Sequence, residues 1–155
     1  MKNPFMERAI QLAIENVRSG RGGPFAALVV SDGRILGTGT NTVTSSNDPT
    51  AHAEIVAIRA ACTALGSFQL HKCDLYCTCE PCPMCLGAIY WSRLQRVFFG
   101  AEVGDAARAG FDDSFIYQQI DTVREKRSIP FLPLMREEAL ECFREWKEKA
   151  DRVPY

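Results

Sequence analysis

The middle of the chain alternates helical and strand-like patterns, and this alternation constrains the fold more than any other feature. The segment His52–Leu65 is apolar on nearly every face and predicts a buried helix. Asp74–Thr78 predicts a short strand, Pro83–Trp91 a helix, and Gln95–Ala101 a strand rich in Val and Phe. Strands that alternate with helices in this way pair in parallel, with the helices packed on the sheet. The pattern therefore predicts an α/β fold.

The N-terminal part predicts a helix followed by a β-hairpin. Asn3 can cap a helix in which Pro4 suits the first position. An apolar stripe at helical spacing, expected to face the core, consists of Met6, Ile10, Ala13, Ile14 and Val17. Two strand-like runs, Phe25–Val30 and Arg34–Thr38, flank the turn signal Asp32-Gly33.

The pattern weakens in the last third of the chain. Phe131–Met135 is interpreted as a final strand, which Pro130 and Pro133 would confine to a sheet edge. Glu137–Lys149 predicts a charged helix. Since no linker or repeat is apparent, we expect one domain over residues 1–155, built as a three-layer αβα sandwich around a mixed five-stranded sheet.

Composition narrows the possible functions. The chain has 155 residues, of which 46% are hydrophobic and 24% charged, as is typical of a globular domain. Its formal charge of −1 argues against a domain that grips nucleic acid, which usually carries a basic surplus. No run approaches the roughly 18 apolar residues of a membrane span, and the first residues lack the apolar stretch of a signal peptide. We therefore expect a cytoplasmic protein without membrane partners.

The cysteines indicate a metal site. There are seven, an odd number for a disulfide framework, and three crowd into Cys79–Cys85. Cys82 and Cys85 lie three positions apart in the opening turn of a predicted helix, where free backbone N–H groups favour thiolates. His52 opens the preceding predicted helix. Two sulfurs and one imidazole make three ligands for Zn²⁺ and leave its fourth position open for water, as in catalytic zinc sites.

Glu54 supplies the acid–base group that a hydrolytic zinc site needs. It follows His52 by two positions and can point into the same pocket. Zinc lowers the pKa of bound water from about 15.7 towards 7. A carboxylate beside that water can accept its proton and pass it to a ring nitrogen and a leaving amine.

Spacing alone does not select the ligands, because Cys79 and Cys82 form a second Cys-x-x-Cys pair. Such pairs also occur in structural zinc modules and redox sites, and an iron–sulfur cluster would need a fourth cysteine in ferredoxin spacing, which is lacking. The conjunction of His52–Glu54 with Pro81–Cys85 matches H-x-E…P-C-x-x-C, the signature of zinc-dependent nucleobase deaminases. On this interpretation Cys79 is a packed thiol.

Several longer segments carry a family resemblance. They are Gly22–Phe25, Ser46–Glu54, Cys79–Trp91, Ala109–Phe115 and the terminal Tyr155. The sequence resembles the cytidine deaminase superfamily and, within it, the small bacterial guanine deaminases. The two central segments also resemble tRNA adenosine deaminases, whereas GFDDSF and the terminal tyrosine are more discriminating. The resemblance implies a hydrolase that uses Zn²⁺ to convert guanine, a small purine base, to xanthine and ammonia.

The resemblance also implies roles for individual residues. Asp113 is similar in position to a second acid. It further implies a domain-swapped homodimer in which the C-terminal segment crosses over, so that Tyr155 helps to close the other subunit's pocket. The residues that correspond to base contacts are Phe25, Asn41, Ala53 and Trp91.

Each of these residues also has an ordinary structural interpretation. Asn41 could be a turn residue after a strand, and Asp113 could cap a helix that starts at Ser114. Phe25 and Trp91 could be core aromatics. Tyr155 could be a loose last residue.

Guanine fits a second carboxylate on chemical grounds. Its N1–H and 2-amino groups are both donors on one edge, whereas cytosine and adenine place a ring acceptor beside the amine, where a carboxylate would repel it. If Asp113 reaches the pocket, it therefore favours guanine. Guanosine, another base or nucleoside, tRNA adenosine and a non-catalytic zinc module remain as alternatives, and the role of Cys77 stays open.

Overall fold

A computed structural model describes residues 2–155. The chain divides into two compact units, of which one ends at Ser114 and the other comprises Phe115–Tyr155. In chain order the first unit contains α1 (Pro4–Arg18), β1 (Ala26–Ser31), β2 (Arg34–Thr40), α2 (Val43–Ser46), α3 (Ala53–Leu65), β3 (Asp74–Cys79), α4 (Pro83–Trp91), β4 (Arg96–Ala101) and α5 (Val103–Arg108). There follow α6 (Ser114–Asp121), a short 3₁₀ helix (Arg124–Lys126) and α7 (Arg136–Glu148).

The strands of the first unit form a mixed sheet in the order β2-β1-β3-β4. β1 pairs antiparallel with both β2 and β3, and β3 pairs parallel with β4. The hairpin between β1 and β2 turns at Asp32 and Gly33, which both have positive φ angles, 47° and 74°. Such turns match the twist of the strands that they join. The predicted hairpin and the predicted parallel pairing are both confirmed.

Helices cover the sheet on both faces. Because side chains alternate along a strand, β1 sends Ala27 and Val29 to one face and Leu28 and Val30 to the other. The first pair packs in a core that includes residues of α3 and α4, and the second pair packs in a core with Ala9 of α1. The first unit is therefore the predicted three-layer αβα sandwich.

Two glycines allow α3 to lie directly against β2. A Cβ atom at Gly39 would stand 2.0 Å from the carbonyl oxygen of Ala53, and one at Gly37 would stand 2.4 Å from that of Ala57. Both contacts would be with backbone, which cannot swing aside. Glycine at these positions therefore sets the distance between the sheet and the helix that begins after His52.

The predicted fifth strand is wrong. Phe131–Met135 has no regular structure, and the sheet of the described residues has four strands rather than five. Pro130 and Pro133 each lack the N–H that a strand donates to its neighbour. Leu132 and Leu134 are both 84% exposed, so the segment also buries little of the apolar surface that suggested a strand.

The expectation for the apolar stripe of α1 is also corrected. Ile10, Ile14 and Val17 are each about half exposed, at 45%, 45% and 51%. The residues that α1 buries are Ala9, Ala13 and Asn16. Of the predicted stripe, Ala13 is buried and Met6 packs against the core together with Phe5 and Leu12. The helix is therefore rotated relative to the predicted stripe.

The second unit buries few of its own side chains. Neither α6 nor α7 contains a buried residue. The predicted charged helix is present as α7. Across residues 2–155, no helix combines the length and the apolar character that crossing a membrane requires.

Candidate active site

Two helix starts bring the predicted metal ligands together. His52 is the N-cap of α3, and Cys82 is the N-cap of α4, where Pro83 occupies the first helical position. The two cap side chains face each other, with Sγ of Cys82 lying 3.5 Å from Nδ1 of His52. Cys85 follows in the first turn of α4 and is fully buried. The exposed N–H groups of both helix ends create positive potential beside the sulfurs.

The three ligand atoms have the spacing of a zinc site. The Sγ atoms of Cys82 and Cys85 lie 3.5 and 3.6 Å from Nδ1 of His52. All three ligand atoms lie within 4.8 Å of one another. A tetrahedral zinc with ordinary Zn–N and Zn–S bonds would place such atoms roughly 3.5 Å apart. His52, Cys82 and Cys85 therefore fit Zn²⁺ with one position left for a fourth ligand.

The sulfurs and the imidazole are coupled by hydrogen bonding. The hydrogen bond with Cys85, assisted by one with His52, lowers the pKa of the Cys82 thiol to about 4. The same bond with Cys82, together with burial, raises the pKa of Cys85. The hydrogen bond with Cys82 also raises the pKa of His52. The site thus stabilises thiolate character at Cys82, the form that binds zinc.

Glu54 is a buried carboxyl group at the start of α3. It is 8% exposed and lines the same cavity as His52 and Cys82. Burial raises its pKa above the ordinary value of 4.5, because a charged carboxylate is poorly solvated there. A carboxyl with a raised pKa beside a reaction centre can both accept and return a proton near neutral pH.

A cavity of about 240 Å³ opens onto this group. Asp113 lines it, and its Oδ1 atom is buried without a hydrogen-bond partner in the described part of the chain. The Oδ1 atom of the neighbouring Asp112 instead accepts a hydrogen bond from the backbone N–H of Ser114, the first residue of α6, at 2.9 Å. Burial raises the pKa of Asp113. The Oδ1 atom of Asp113 is therefore available to a ligand.

Of the other residues predicted to contact the substrate, some line the cavity and some do not. Phe25, Asn41 and Ala53 line the cavity. Trp91 is the last residue of α4, is 64% exposed and does not line the cavity. Tyr155 belongs to the second unit and is 72% exposed.

Sequence reasoning missed several residues that line the cavity. Phe111 meets Phe25 edge to face, with ring centroids 4.9 Å apart. Phe111 lies within Ala109–Phe115, a segment that carries the family resemblance, and this position was the available signal. Glu80, another missed residue, lies within the segment Cys79–Trp91, whereas Val103 and Ala106 belong to no motif.

The two remaining thiols near the site differ in position. Cys79 lines the cavity, and its Sγ atom contacts the carbonyl oxygen of Glu102 at 3.8 Å. Cys77 is buried in the sheet, and burial raises its pKa. Neither belongs to the group of ligand atoms formed with His52.

Comparison with known proteins places the site in a family. Residues 1–101 match the model of the cytidine and deoxycytidylate deaminase zinc-binding region. The chain is 56% identical over 151 residues to guanine deaminase of Bacillus subtilis. The aligned region covers 97% of this chain and 97% of that protein. A crystal structure of guanine deaminase from Bacillus subtilis superposes with a TM-score of 0.96 at 55% identity, covering 100% of this chain and 99% of that chain. A tRNA-specific adenosine deaminase of Agrobacterium fabrum is 46% identical over 89 residues, or 56% of this chain and 59% of the relative.

Proposed function

The chain belongs to the cytidine and deoxycytidylate deaminase family, and on that premise we propose that it hydrolyses guanine to xanthine and ammonia. The observation that carries this proposal is the cavity itself, which is lined by the buried carboxyl group of Glu54, by Asp113 with its buried Oδ1 atom, and by His52 and Cys82 of the His-Cys-Cys group. The similarity to a guanine deaminase, at 56% identity over 97% of the chain, supports the same substrate, whereas tRNA-specific adenosine deaminases match with lower identity and over less of the chain.

The cofactor is Zn²⁺, and we assign its ligands as Nδ1 of His52 and the sulfurs of Cys82 and Cys85. Bound zinc supplies a Lewis acid that lowers the pKa of water to near 7. The protein holds the three ligands on the ends of two packed helices, which fixes their geometry before the metal arrives. Cys79 lies outside this group.

Glu54 performs the proton transfers in this proposal. Its carboxylate accepts a proton from the attacking water, whose oxygen adds to C2 of guanine. The same carboxyl group delivers that proton to the adjacent ring nitrogen, and then transfers the second proton to the leaving 2-amino group, which departs as ammonia. A buried position suits this role, since the raised pKa of Glu54 brings its two protonation states closer in free energy at neutral pH.

Asp113 recognises the donor edge of the base. Its unpartnered Oδ1 atom lies in the cavity, where an N–H group of the substrate would satisfy it. Guanine offers two such donors, N1–H and the 2-amino group, whereas adenine and cytosine place an acceptor beside the amine. Phe25, Asn41 and Ala53 line the remaining walls and contact the base. On the strength of the sequence resemblance, we assign Trp91 as a further base contact and Tyr155 to the closure of the pocket.

We further propose a homodimer in which the C-terminal unit, Phe115–Tyr155, is exchanged between subunits. Support comes from the apolar side chains that this unit exposes, such as Ile129, Leu132 and Leu134, which are 71%, 84% and 84% exposed. Exposed apolar surface on this scale is typical of an interface. Exchange would let Tyr155 of one subunit close the pocket of the other.

We also propose a cytoplasmic location. All seven cysteines are free, and thiols in such number are typical of a reducing compartment. No partner beyond the purine base and a second copy of the chain is proposed.

A side-by-side assay tests the substrate. Purified zinc-loaded enzyme should release ammonia from guanine far faster than from guanosine, adenine, cytosine, cytidine or a tRNA. Asp113→Asn should lower kcat/KM for guanine by about ten- to a hundredfold with zinc retained, because a charged hydrogen bond contributes about 1.5–3 kcal/mol. A preference for guanosine, or for a base without the 2-amino group, would contradict guanine as the substrate but would not contradict the zinc-dependent deamination.

A further inference from the structure

One polar side chain in the core of the first unit is not explained by packing. Asn16 lies on the buried side of α1 with Ala9 and Ala13, and none of its surface is exposed. Burying an amide among small apolar residues is unfavourable unless its polar groups find partners. Its Oδ1 atom has no hydrogen-bond partner among the described residues. The acceptor of Asn16 is thus unpaired, so the hydrogen bonds that stabilise its buried position must come from its NH₂ group.

The donors of Asn16 join two loops at the mouth of the cavity. Nδ2 donates to the carbonyl oxygens of Gly23 at 3.0 Å and of Asn41 at 2.8 Å. The first loop leads to Phe25 and the second follows β2. The loops approach so closely that a Cβ atom at Gly22 would stand 2.0 Å from the carbonyl oxygen of Asn41. One amide therefore clamps together the two segments that carry Phe25 and Asn41.

The clamp fixes the direction in which the Asn41 side chain points. Asn41 donates its backbone N–H to the carbonyl of Phe25 at 3.0 Å. Its side-chain Oδ1 accepts hydrogen bonds from the backbone N–H groups of Gly23 and Val43, at 3.4 and 3.3 Å. Since both partners are donors, the amide oxygen must face them. Asn41 lines the cavity, and its NH₂ group is left to donate to an acceptor of the substrate.

We propose that Asn16 is a positioning residue, which holds Asn41 in place for recognition of the purine and never touches the purine itself. This inference rests on the proposed function. Asn16 restrains the Gly23 loop and the backbone of Asn41 together, so that the Asn41 amide meets an acceptor of guanine, such as O6, N3 or N7, already oriented. Loss of the clamp leaves the chemistry at Glu54 intact and weakens the binding of the base.

Asn16→Ala tests the proposal against a matched control in the same helix. Asn3→Ala removes the N-cap of α1, whose side chain accepts hydrogen bonds from Phe5 and Met6, and it lies at the opposite end from Asn16. Both variants should lower the melting temperature. Only Asn16→Ala should raise KM for guanine, by about tenfold, with kcat changed much less, because it releases the orientation of the Asn41 binding contact and removes no acid–base group. Asn16→Leu refills the volume without the donors and should behave in the same way.

A double-mutant cycle with Asn41→Ala separates positioning from general destabilisation. If Asn16 acts through Asn41, Asn16→Ala should change KM little once Asn41 is already alanine. An equal rise in both backgrounds, or a similar rise in Asn3→Ala, would overturn the proposal. A crystal structure of Asn16→Ala gives a readout that does not depend on activity, and an unmoved Asn41 amide would also overturn it. If the wild-type enzyme fails to deaminate guanine, the proposed function falls, and that crystal structure still decides the position of Asn41.

Discussion

At the scale of single residues, Glu54 shows how one side chain obtains a chemical role from its surroundings. Most buried positions of α3 are apolar, and burying a carboxyl group there costs free energy that its hydrogen bonds with a backbone N–H and with Cys85 partly offset. The same burial raises its pKa, which suits a group that must accept and return a proton. Its position at the first turn of α3 places it beside His52 without making it a member of the ligand group.

Exchange of Glu54 for glutamine should separate catalysis from metal binding. Glu54→Gln keeps the size of the side chain but removes its basicity. Activity should fall by at least the roughly 10²–10⁴-fold typical of a lost general acid–base, with zinc content unchanged. Steady-state kinetics together with metal analysis of the same preparation checks this. Near-normal turnover in a zinc-replete variant would contradict the assigned role.

Two cysteine variants serve as controls for that measurement. Cys85→Ala should lose zinc and activity together, because it removes a ligand from the buried side of the site. Cys79→Ala should keep its zinc, since Cys79 lies outside the ligand group. If Cys79→Ala lost the metal while Cys85→Ala retained it, the ligand set would be wrong.

The sequence could predict those residues whose chemistry depends on short spacing. Local spacing at two helix starts groups His52 with Glu54 and Cys82 with Cys85. The H-x-E…P-C-x-x-C signature then links the two pairs, which are about 30 positions apart. Asn16 could not be found in this way, because its partners lie 7 and 25 positions away and an isolated asparagine in a helix carries no signal.

At the scale of elements, the fit of α3 against β2 determines where the site lies. The helix that starts after His52 approaches β2 at Gly37 and Gly39, where a methyl group would collide with backbone. Any displacement of α3 at this contact would move His52 and Glu54 away from Cys82, which is fixed on α4. The element interface and the chemistry are therefore coupled through one rigid helix.

Gly39→Ala should reveal this coupling. The added Cβ would stand 2.0 Å from the carbonyl oxygen of Ala53, so we expect a loss of stability of roughly 1–3 kcal/mol and reduced affinity for zinc. Gly87→Ala is the control, because it lies in α4 with nothing within 4 Å of the added atom. That change should stabilise the helix by about 0.5–1 kcal/mol. Thermal melting and a zinc titration check both, and equal stability of the two variants would contradict the argument.

Elements were predictable where strand and helix periods are distinct. The alternation from His52 to Ala101 predicts α3, β3, α4 and β4 to within a few residues. The segment Phe131–Met135 was wrongly predicted as a strand because its composition is apolar, although its prolines prevent strand pairing. The apolar stripe of α1 misled for a different reason, since hydrophobicity alone does not reveal that small residues allow the closer approach to a sheet.

At the scale of the whole molecule, the proposed exchange of C-terminal units can be tested by complementation. Chains with Glu54→Gln and chains lacking Val153–Tyr155 should each be nearly inactive as homodimers. In a mixed dimer with exchanged tails, the intact Glu54 site would receive the partner's tail. Co-expression with two affinity tags should therefore restore about half of the wild-type activity per mixed dimer, because one of its two sites is complete.

Truncation alone provides the companion measurement. Removal of Val153–Tyr155 should leave a folded, zinc-loaded protein with much weaker catalysis, because water entering the pocket weakens each electrostatic contact there. Mixed dimers that form but stay inactive would contradict the exchange. Unchanged kinetics after truncation would show that Tyr155 has no part in the reaction.

The ligand arrangement has a mechanical meaning as well as a chemical one. His52 is separated from Cys82 by 30 positions and from Cys85 by 33, and the intervening chain includes α3 and β3. Coordination of one ion by His52 at one end and the two cysteines at the other would close this stretch into a loop, as a covalent cross-link does. A flexible chain rarely brings such distant points together, so a clip between them disfavours the unfolded ensemble more than a local contact could. On the proposed ligand assignment, the metal centre would thus hold α3, which follows the β1–β2 hairpin, against α4, which connects the parallel strands β3 and β4.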